Sequence, residues 1–289
     1  MVGPLVLGLL LFTFLPIVWG FALSLTDARG TISLNRFVGL ANYTQILSDP
    51  AFIRSLVTVT IFAIFIVPTT YAASLLLAVL VQNAAFGKGF FRSVFFIPTA
   101  ISYVIASLIW RVSIFNGLPY GFANVILWIF GVDPIAWIGT PHPPWYWLVL
   151  VTVRLWLQVG FYMILFIAAM QDIPRELYEA ARVDGASSKW TLFRRITFPL
   201  LRNTSVFVIL MNIIHAFNAF DEFYNILGGT YASSGNIILA RPPLVYLYQV
   251  AMSDLLYGRA MAGSFILAIL LIAATVLGNK VVGGLGREV

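Results

Sequence analysis

Glu179-Ala180-Ala181-Arg182-Val183-Asp184-Gly185-Ala186 is a run of helix formers closed by a glycine, set in a charged segment between two long apolar stretches. Positions 171–203 hold six of the chain's 17 basic residues, Arg175, Arg182, Lys189, Arg194, Arg195 and Arg202. The acids Asp172, Glu176, Glu179 and Asp184 share the segment. Pro174 suits the first turn of a helix, residues 175–184 propagate it, and Gly185 is a natural terminator. Leu177, Ala180, Ala181 and Asp184 share one face, which the alanines make shallow. Ser187 or Ser188 caps a second helix limited by Pro199, with Trp190, Phe193 and Ile196 in one stripe and Lys189, Arg194 and Arg195 elsewhere. The segment predicts a compact helix–Gly–helix knob that docks onto a water-soluble protein. A basic hairpin lying on lipid headgroups is the plainer reading, and the four acids weaken it because anionic lipid repels carboxylates.

Everything around the knob is apolar. Of 289 residues, 61% are hydrophobic and 10% charged, and mean hydropathy is +0.94, far outside the range of a soluble domain. The absence of cysteine excludes disulfides, iron–sulfur clusters and thiol chemistry. Six apolar runs reach spanning length, over 2–25, 53–83, 93–115, 145–170, 203–227 and 258–282. The first lacks a basic n-region and is too long for a signal h-region, so an uncleaved span is expected. The expected fold class is an all-α polytopic membrane protein, one transmembrane domain over 1–289 with six transmembrane helices. Span 2–25 is peripheral and 53–282 forms the core.

The net charge of +6 reports orientation rather than nucleic acid, which is not an expected partner. Pieces 84–92, 171–203 and 279–289 hold ten bases in 53 positions, Lys88, Arg92, Lys280 and Arg287 among them. Pieces 26–54, 111–144 and 228–259 hold six in 95. Basic residues mark the cytoplasmic side, so the knob and both termini are expected there, in the cell membrane. Three outer connections, including Gly228-Gly229-Thr230, read as ordered loops or interfacial helices, with Trp137, Trp145 and Trp147 at headgroup level.

Polar residues interrupt two spans. The fifth carries Asn212, His215, Asn218, Asp221, Glu222 and Asn225 among aromatics that include Tyr224. The fourth carries Arg154 and Gln158, four apart on one face. Such residues normally face the bundle interior or a wet cavity. An ion pair between Arg154 and Asp221 or Glu222, or interhelical hydrogen bonds from Asn212 and His215, makes them structural ties. Aromatic faces beside amides and carboxylates equally suit a sugar, which makes Arg154, Gln158, Asn212, His215, Asn218, Asp221, Glu222 and Tyr224 candidates for a solute pathway. His215 has no second histidine or cysteine near it in sequence, and no metal site is expected.

Tyr178-Glu-Ala-Ala-Arg-Val-Asp-Gly-Ala-Ser187, followed by Phe193-Arg-Arg-Ile-Thr-Phe-Pro-Leu200, resembles the EAA loop of binding-protein-dependent ABC importer permeases of type I fold. Within them it is similar to the carbohydrate-uptake branch with the maltose- and glycerol-phosphate-type subunits. Phe37-Val-Gly-Leu-Ala-Asn-Tyr43, Phe95-Phe-Ile-Pro-Thr99 and Phe217-Asn-Ala-Phe-Asp-Glu-Phe-Tyr224 extend the likeness along the chain. Two departures stand out: the interval from Gly185 to Ile196 is one residue longer than the pattern, and Phe198 replaces the usual leucine before proline.

The resemblance implies a coupling loop over 171–202. In it Glu179, Ala180, Ala181, Asp184, Gly185 and Ala186 dock into a cleft of a cytoplasmic ATPase subunit. Glu179 and Asp184 would meet partner cations, and Gly185 would allow the sharp turn. It also implies a second permease subunit, two ABC ATPase subunits and an extracytoplasmic solute-binding protein, with membrane lipid around the spans. No cofactor is expected in this chain, because ATP and Mg belong to the ATPases. The chain has no G-x-x-x-x-G-K-[ST] of its own. An ion-coupled secondary transporter using Asp221, Glu222 or His215 is the alternative, against which the sequence shows no broken helices or inverted repeats. A polytopic membrane enzyme is a further one, disfavoured because neighbouring carboxylates on a helix point about 100° apart.

Overall fold

The computed structural model describes residues 2–34, 36–186, 188–229, 233–234, 237–238 and 240–284. Ser187, Thr230 and Arg287 lie outside the described residues. In order the helices are α1 Gly3–Ser24, α2 Ala41–Leu47, α3 Pro50–Gln82, α4 Lys88–Ala100, α5 Tyr103–Ile114, α6 Phe122–Ile129 and α7 Tyr146–Gln171. They continue as α8 Arg175–Val183, α9 Lys189–Leu200, α10 Arg202–Phe217, α11 Asp221–Leu227, α12 Pro243–Tyr248 and α13 Tyr257–Gly284. A minimal antiparallel pairing of Ser233–Ser234 with Ile237–Ile238 interrupts this helical order.

Among the described residues α1, α3, α7 and α13 are each long and apolar enough to cross a membrane. The pairs α4–α5 and α9–α10 bring the number to six, but they are bent by 96° and 67°. The third span is therefore not the continuous helix expected over 93–115. Pro98 contributes no N–H to a helical ladder, and the chain turns extended at Ile101 and Ser102. The fifth span differs too: α10 stops at Phe217, Phe220 leaves helical geometry, and α11 starts afresh at Asp221. Asn and Asp compete with the helix for backbone groups, and Asp221 and Glu222 then favour the first turn of the next helix. Broken helices are thus present, and their absence is no ground against ion-coupled transport.

The chain divides into two compact units, Met1–Ile61 with Asn218–Ala274, and Phe62–Phe217 with Thr275–Val289. In the first, Asn42 of α2 donates to the carbonyls of Ser24 (2.8 Å) and Thr26 (2.9 Å), and the Tyr43 hydroxyl meets Ser24 Oγ at 2.8 Å. Asn42 thereby satisfies carbonyls that the end of α1 leaves without helical partners. The Phe37–Tyr43 motif is thus a cap for the first helix. The rest of α1 is largely exposed.

The same unit holds an ordered polar lock. Tyr246 Oη donates to Asp49 Oδ2 at 2.5 Å, Arg241 lies 5.1 Å from the Tyr246 ring centroid, and the Arg241 guanidinium donates to Gln249 Oε1. Burial pushes the Asp49 carboxyl up, but hydrogen bonds from Tyr246 and the Ala51 N–H, with the Arg259 charge, outweigh it and hold Asp49 below the usual carboxylate range. Burial first, and the hydrogen bond to Asp49 next, push the Tyr246 phenol up. A lowered carboxyl adds stability above its unfolded value and loses it as pH falls through the folded one. Asp49→Asn is expected to lower the melting temperature at neutral pH and to flatten its decline below about pH 4. Parallel melting curves of the two proteins across that range would contradict the lock.

The second unit packs α3, α7, α9 and α10 around Leu75, Ala78, Tyr162, Phe166, Leu201 and Val208. The backbone of α4 lies directly on α7 at Gly160, where an added Cβ would stand 1.8 Å from the Phe95 carbonyl oxygen. Between α5 and α7, Asn124 of α6 organises the loop. Its amide nitrogen donates to Leu118 and Ile135 carbonyls at 3.0 and 3.1 Å, and its oxygen accepts from Ile135 N and Trp137 Nε1. Trp137 is accordingly buried, not displayed at headgroup level: its indole N–H finds a partner inside the loop, and its ring packs on Phe115 and Trp145.

Candidate functional site

The charged segment forms the expected helix–Gly–helix. Pro174 stands one position before the helix, at the cap of α8. The helix ends as the sequence prescribes: Gly185 takes φ +89°, its N–H bonds the Arg182 carbonyl at 3.1 Å, and Ala186 N–H reaches the Ala181 carbonyl at 2.9 Å. That pair of bonds is a Schellman closure, with glycine in the left-handed position that a Cβ disfavours. Asp184-Gly185-Ala186 is thus a stop signal in backbone geometry. Ser188 caps α9, its Oγ accepting from Trp190 N at 3.3 Å.

The second helix is not plain α. A π turn over Phe193–Thr197 takes one residue more than an α turn. An added residue between Gly185 and Ile196 is accommodated there without rotating everything downstream. Tyr178 Oη and Thr197 Oγ1 meet at 2.9 Å, and Leu192 and Thr197 are buried, so the two helices form one braced element.

Charge is sorted across this element. Arg175, Tyr178 and Arg182, at i, i+3 and i+7 of α8, line a cavity together with Lys88, Lys189 and Trp190. The acids Glu176 and Glu179 lie on other positions of α8 and do not line that cavity, nor does Asp184 beyond its end. Glu179, Ala180, Asp184 and Gly185 are exposed, and Ala181 and Ala186 are half-buried. Val183 is 88% exposed, an apolar side chain beside Glu179, Ala180 and Asp184. Sequence reasoning placed Leu177 and the alanines on the docking face and overlooked Val183; its signal was a β-branched apolar residue at i+4 from Glu179.

The solute-pathway candidates separate. In the second unit Arg154 (4% exposed) donates to the backbone carbonyl of His215, and Gln158 Nε2 lies 3.0 Å from His215 Nδ1. The Arg154 guanidinium also lies over the rings of Tyr103 (5.2 Å) and Phe62 (5.9 Å). His215 is in the last turn of α10, so a cation there meets carbonyls without helical partners at the negative end of the dipole. Asn212, 1% exposed, turns its amide back to the Val208 carbonyl of its own helix at 3.0 Å. Arg154 and Gln158 are thus tied to His215 within this unit, while the Asn212 amide bonds within its own helix.

Asn218, Asp221, Glu222 and Tyr224 belong to the first unit. Glu222 is buried, whereas Asn218 is exposed and the Asp221 carbonyl accepts from Asn225 Nδ2 at 2.7 Å. Tyr224 stacks on Phe220 at 5.1 Å, and Tyr248 of α12 meets both rings edge-on at 5.4 and 5.6 Å. This three-ring platform is partly open. Tyr248 lies outside the motif region, which is why sequence reasoning missed it.

Comparison with known proteins follows the same outline. A family model described as "Binding-protein-dependent transport system inner membrane component" matches residues 71–288. The trehalose/maltose transport system permease protein of Thermococcus litoralis is 32% identical over 281 residues, 97% of this chain and 92% of that protein. The arabinooligosaccharides transport system permease protein of Bacillus subtilis is 31% identical over 99% of this chain and 88% of its own length. For the sn-glycerol-3-phosphate transport system permease protein of Agrobacterium fabrum the identity is 33%, over 86% and 81%. A crystal structure of a bacterial alginate ABC transporter, in complex with alginate pentasaccharide-bound periplasmic protein, contains a chain of the same fold. Its TM-score is 0.83 at 20% identity, covering 99% of this chain and 94% of that one.

Proposed function

Because this chain belongs to the family of binding-protein-dependent transport system inner membrane components, and is therefore a multi-pass membrane permease subunit of an importer, we propose that it passes a sugar or sugar-derived solute. An extracytoplasmic binding protein delivers the solute, and separate ATPase subunits drive the passage through the hairpin around Glu179–Gly185. The relatives named for trehalose/maltose, for arabinooligosaccharides and for the polyol phosphate sn-glycerol-3-phosphate support the solute class. A second, non-identical permease subunit completes the pathway, and two ATPase subunits bind the ATP and Mg. The roughly threefold higher density of basic residues on pieces 84–92, 171–203 and 279–289 supports a cytoplasmic hairpin and cytoplasmic termini.

The observation that carries the coupling role is the exposed end of α8: Glu179, Ala180 and Val183, with Asp184 at its C-cap, stand uncovered on an element braced through Tyr178 and Thr197. A braced helix transmits displacement, and an apolar tip flanked by carboxylates suits a cleft with a greasy floor and basic walls. The Phe220–Tyr224–Tyr248 platform is the best-formed surface for stacking the C–H face of a sugar.

The chain contains no cysteine, so single cysteines introduced at Glu179 and Val183 report without background from it. In intact membranes both are expected to crosslink to an ATP-hydrolysing subunit and to react with thiol reagents only from the cytoplasmic side. Labelling from the outer face, or crosslinks confined to other partners, would sink the assignment.

A further inference from the structure

We propose that the cavity behind the hairpin holds one anionic phospholipid. The cavity measures about 1290 Å³ and is walled by the adjoining ends of α3 and α7 and by residues of α8 and α9. That is above the roughly 300–1,000 Å³ of ordinary small-molecule pockets. Its lining includes the apolar Leu75, Leu76, Val79 and Met170 and the cationic Lys88, Arg175, Arg182 and Lys189, with no carboxylate. Among the described residues none of these four cations is in an ion pair.

Four like charges around one space repel each other unless an anion joins them. A neutral sugar brings no counter-charge, and water alone gives no reason for the apolar lining. A phosphate headgroup with acyl chains answers both halves, as basic pockets between transmembrane helices do elsewhere. Trp190, 67% exposed and lining the cavity, has the amphipathic ring favoured at headgroup depth. The carboxylates that would repel such a lipid lie outside the lining, so the sorting of charge along α8 gives one face to lipid and leaves the other to a protein partner. The inference stands whichever solute is carried.

Trp190 is also the reporter. The purified transporter is placed in phosphatidylcholine nanodiscs doped with brominated phosphatidylglycerol or brominated phosphatidylcholine. The Trp190 signal is the difference between native chain and Trp190→Phe. The anionic lipid is expected to quench it at about tenfold lower mole fraction than the zwitterionic one. Combined Arg175→Gln, Arg182→Gln and Lys189→Gln abolish that preference, whereas Arg194→Gln with Arg195→Gln, which do not line the cavity, retain it. Equal quenching by the two lipids overturns the proposal on native protein alone, even if the triple variant fails to assemble. A preference that survives the triple substitution overturns it as well. Relief of quenching by millimolar inorganic phosphate would assign the site to a free anion instead.

Discussion

Alanine in place of Gly160 is expected to destabilise the second unit by more than about 3 kcal/mol, beyond the usual cost of overpacking, because the obstruction is backbone. The new Cβ would lie 1.8 Å from the Phe95 carbonyl oxygen, 2.5 Å from its carbon and 3.1 Å from Phe96 Cα. No side-chain rotation relieves those contacts, so α4 must lift from α7. Lifting it would also break the hydrogen bond from Thr99 Oγ1 to the Leu157 carbonyl, 3.2 Å long. The measurement is the melting temperature of the purified protein, with protease sensitivity of the 84–92 connection as a second readout. A Gly160→Ala protein melting with the native one would show that the two backbones do not touch.

Valine at position 185 acts through conformation alone. No atom lies within 4 Å of where a Cβ would stand, yet φ is +89°. A left-handed residue with a Cβ costs about 1–2 kcal/mol, a factor of roughly 5–30 in the population of the closed turn, and a β-branched side chain fits worst. Gly185→Val is therefore expected to leave the protein in the membrane and its ATPase partners active while uptake falls by about tenfold or more. Asparagine tolerates the left-handed region, so Gly185→Asn should retain most uptake. Equal uptake by the glycine, valine and asparagine forms would remove the turn from the coupling mechanism.

The coupling hairpin was legible because its signals are local. A cap residue, a run of helix formers and a glycine stop act within a turn of themselves, and each behaves as written. The breaks in the third and fifth spans were less legible. Apolar composition reports that a segment suits lipid, not whether it crosses straight, and at Ile101–Ser102 the chain turns within one apolar run. The aromatic platform was half read, since Phe220 and Tyr224 lie four apart on the chain but Tyr248 comes from another helix. The same limit hid one contact of Arg154, the backbone carbonyl of His215, a group with no signature in the sequence.

From residue order alone come the solvent, the class of spans, the two-helix knob and its stop at Gly185, because hydropathy and backbone propensity are properties of short stretches. Tertiary structure alone decided that Gly160 is a contact point, that Arg154 closes a helix end, and that the bases of α8 face a cavity while its acids do not. Those depend on which distant backbones meet, and closeness between segments far apart in the chain is a consequence of packing that no window of sequence contains.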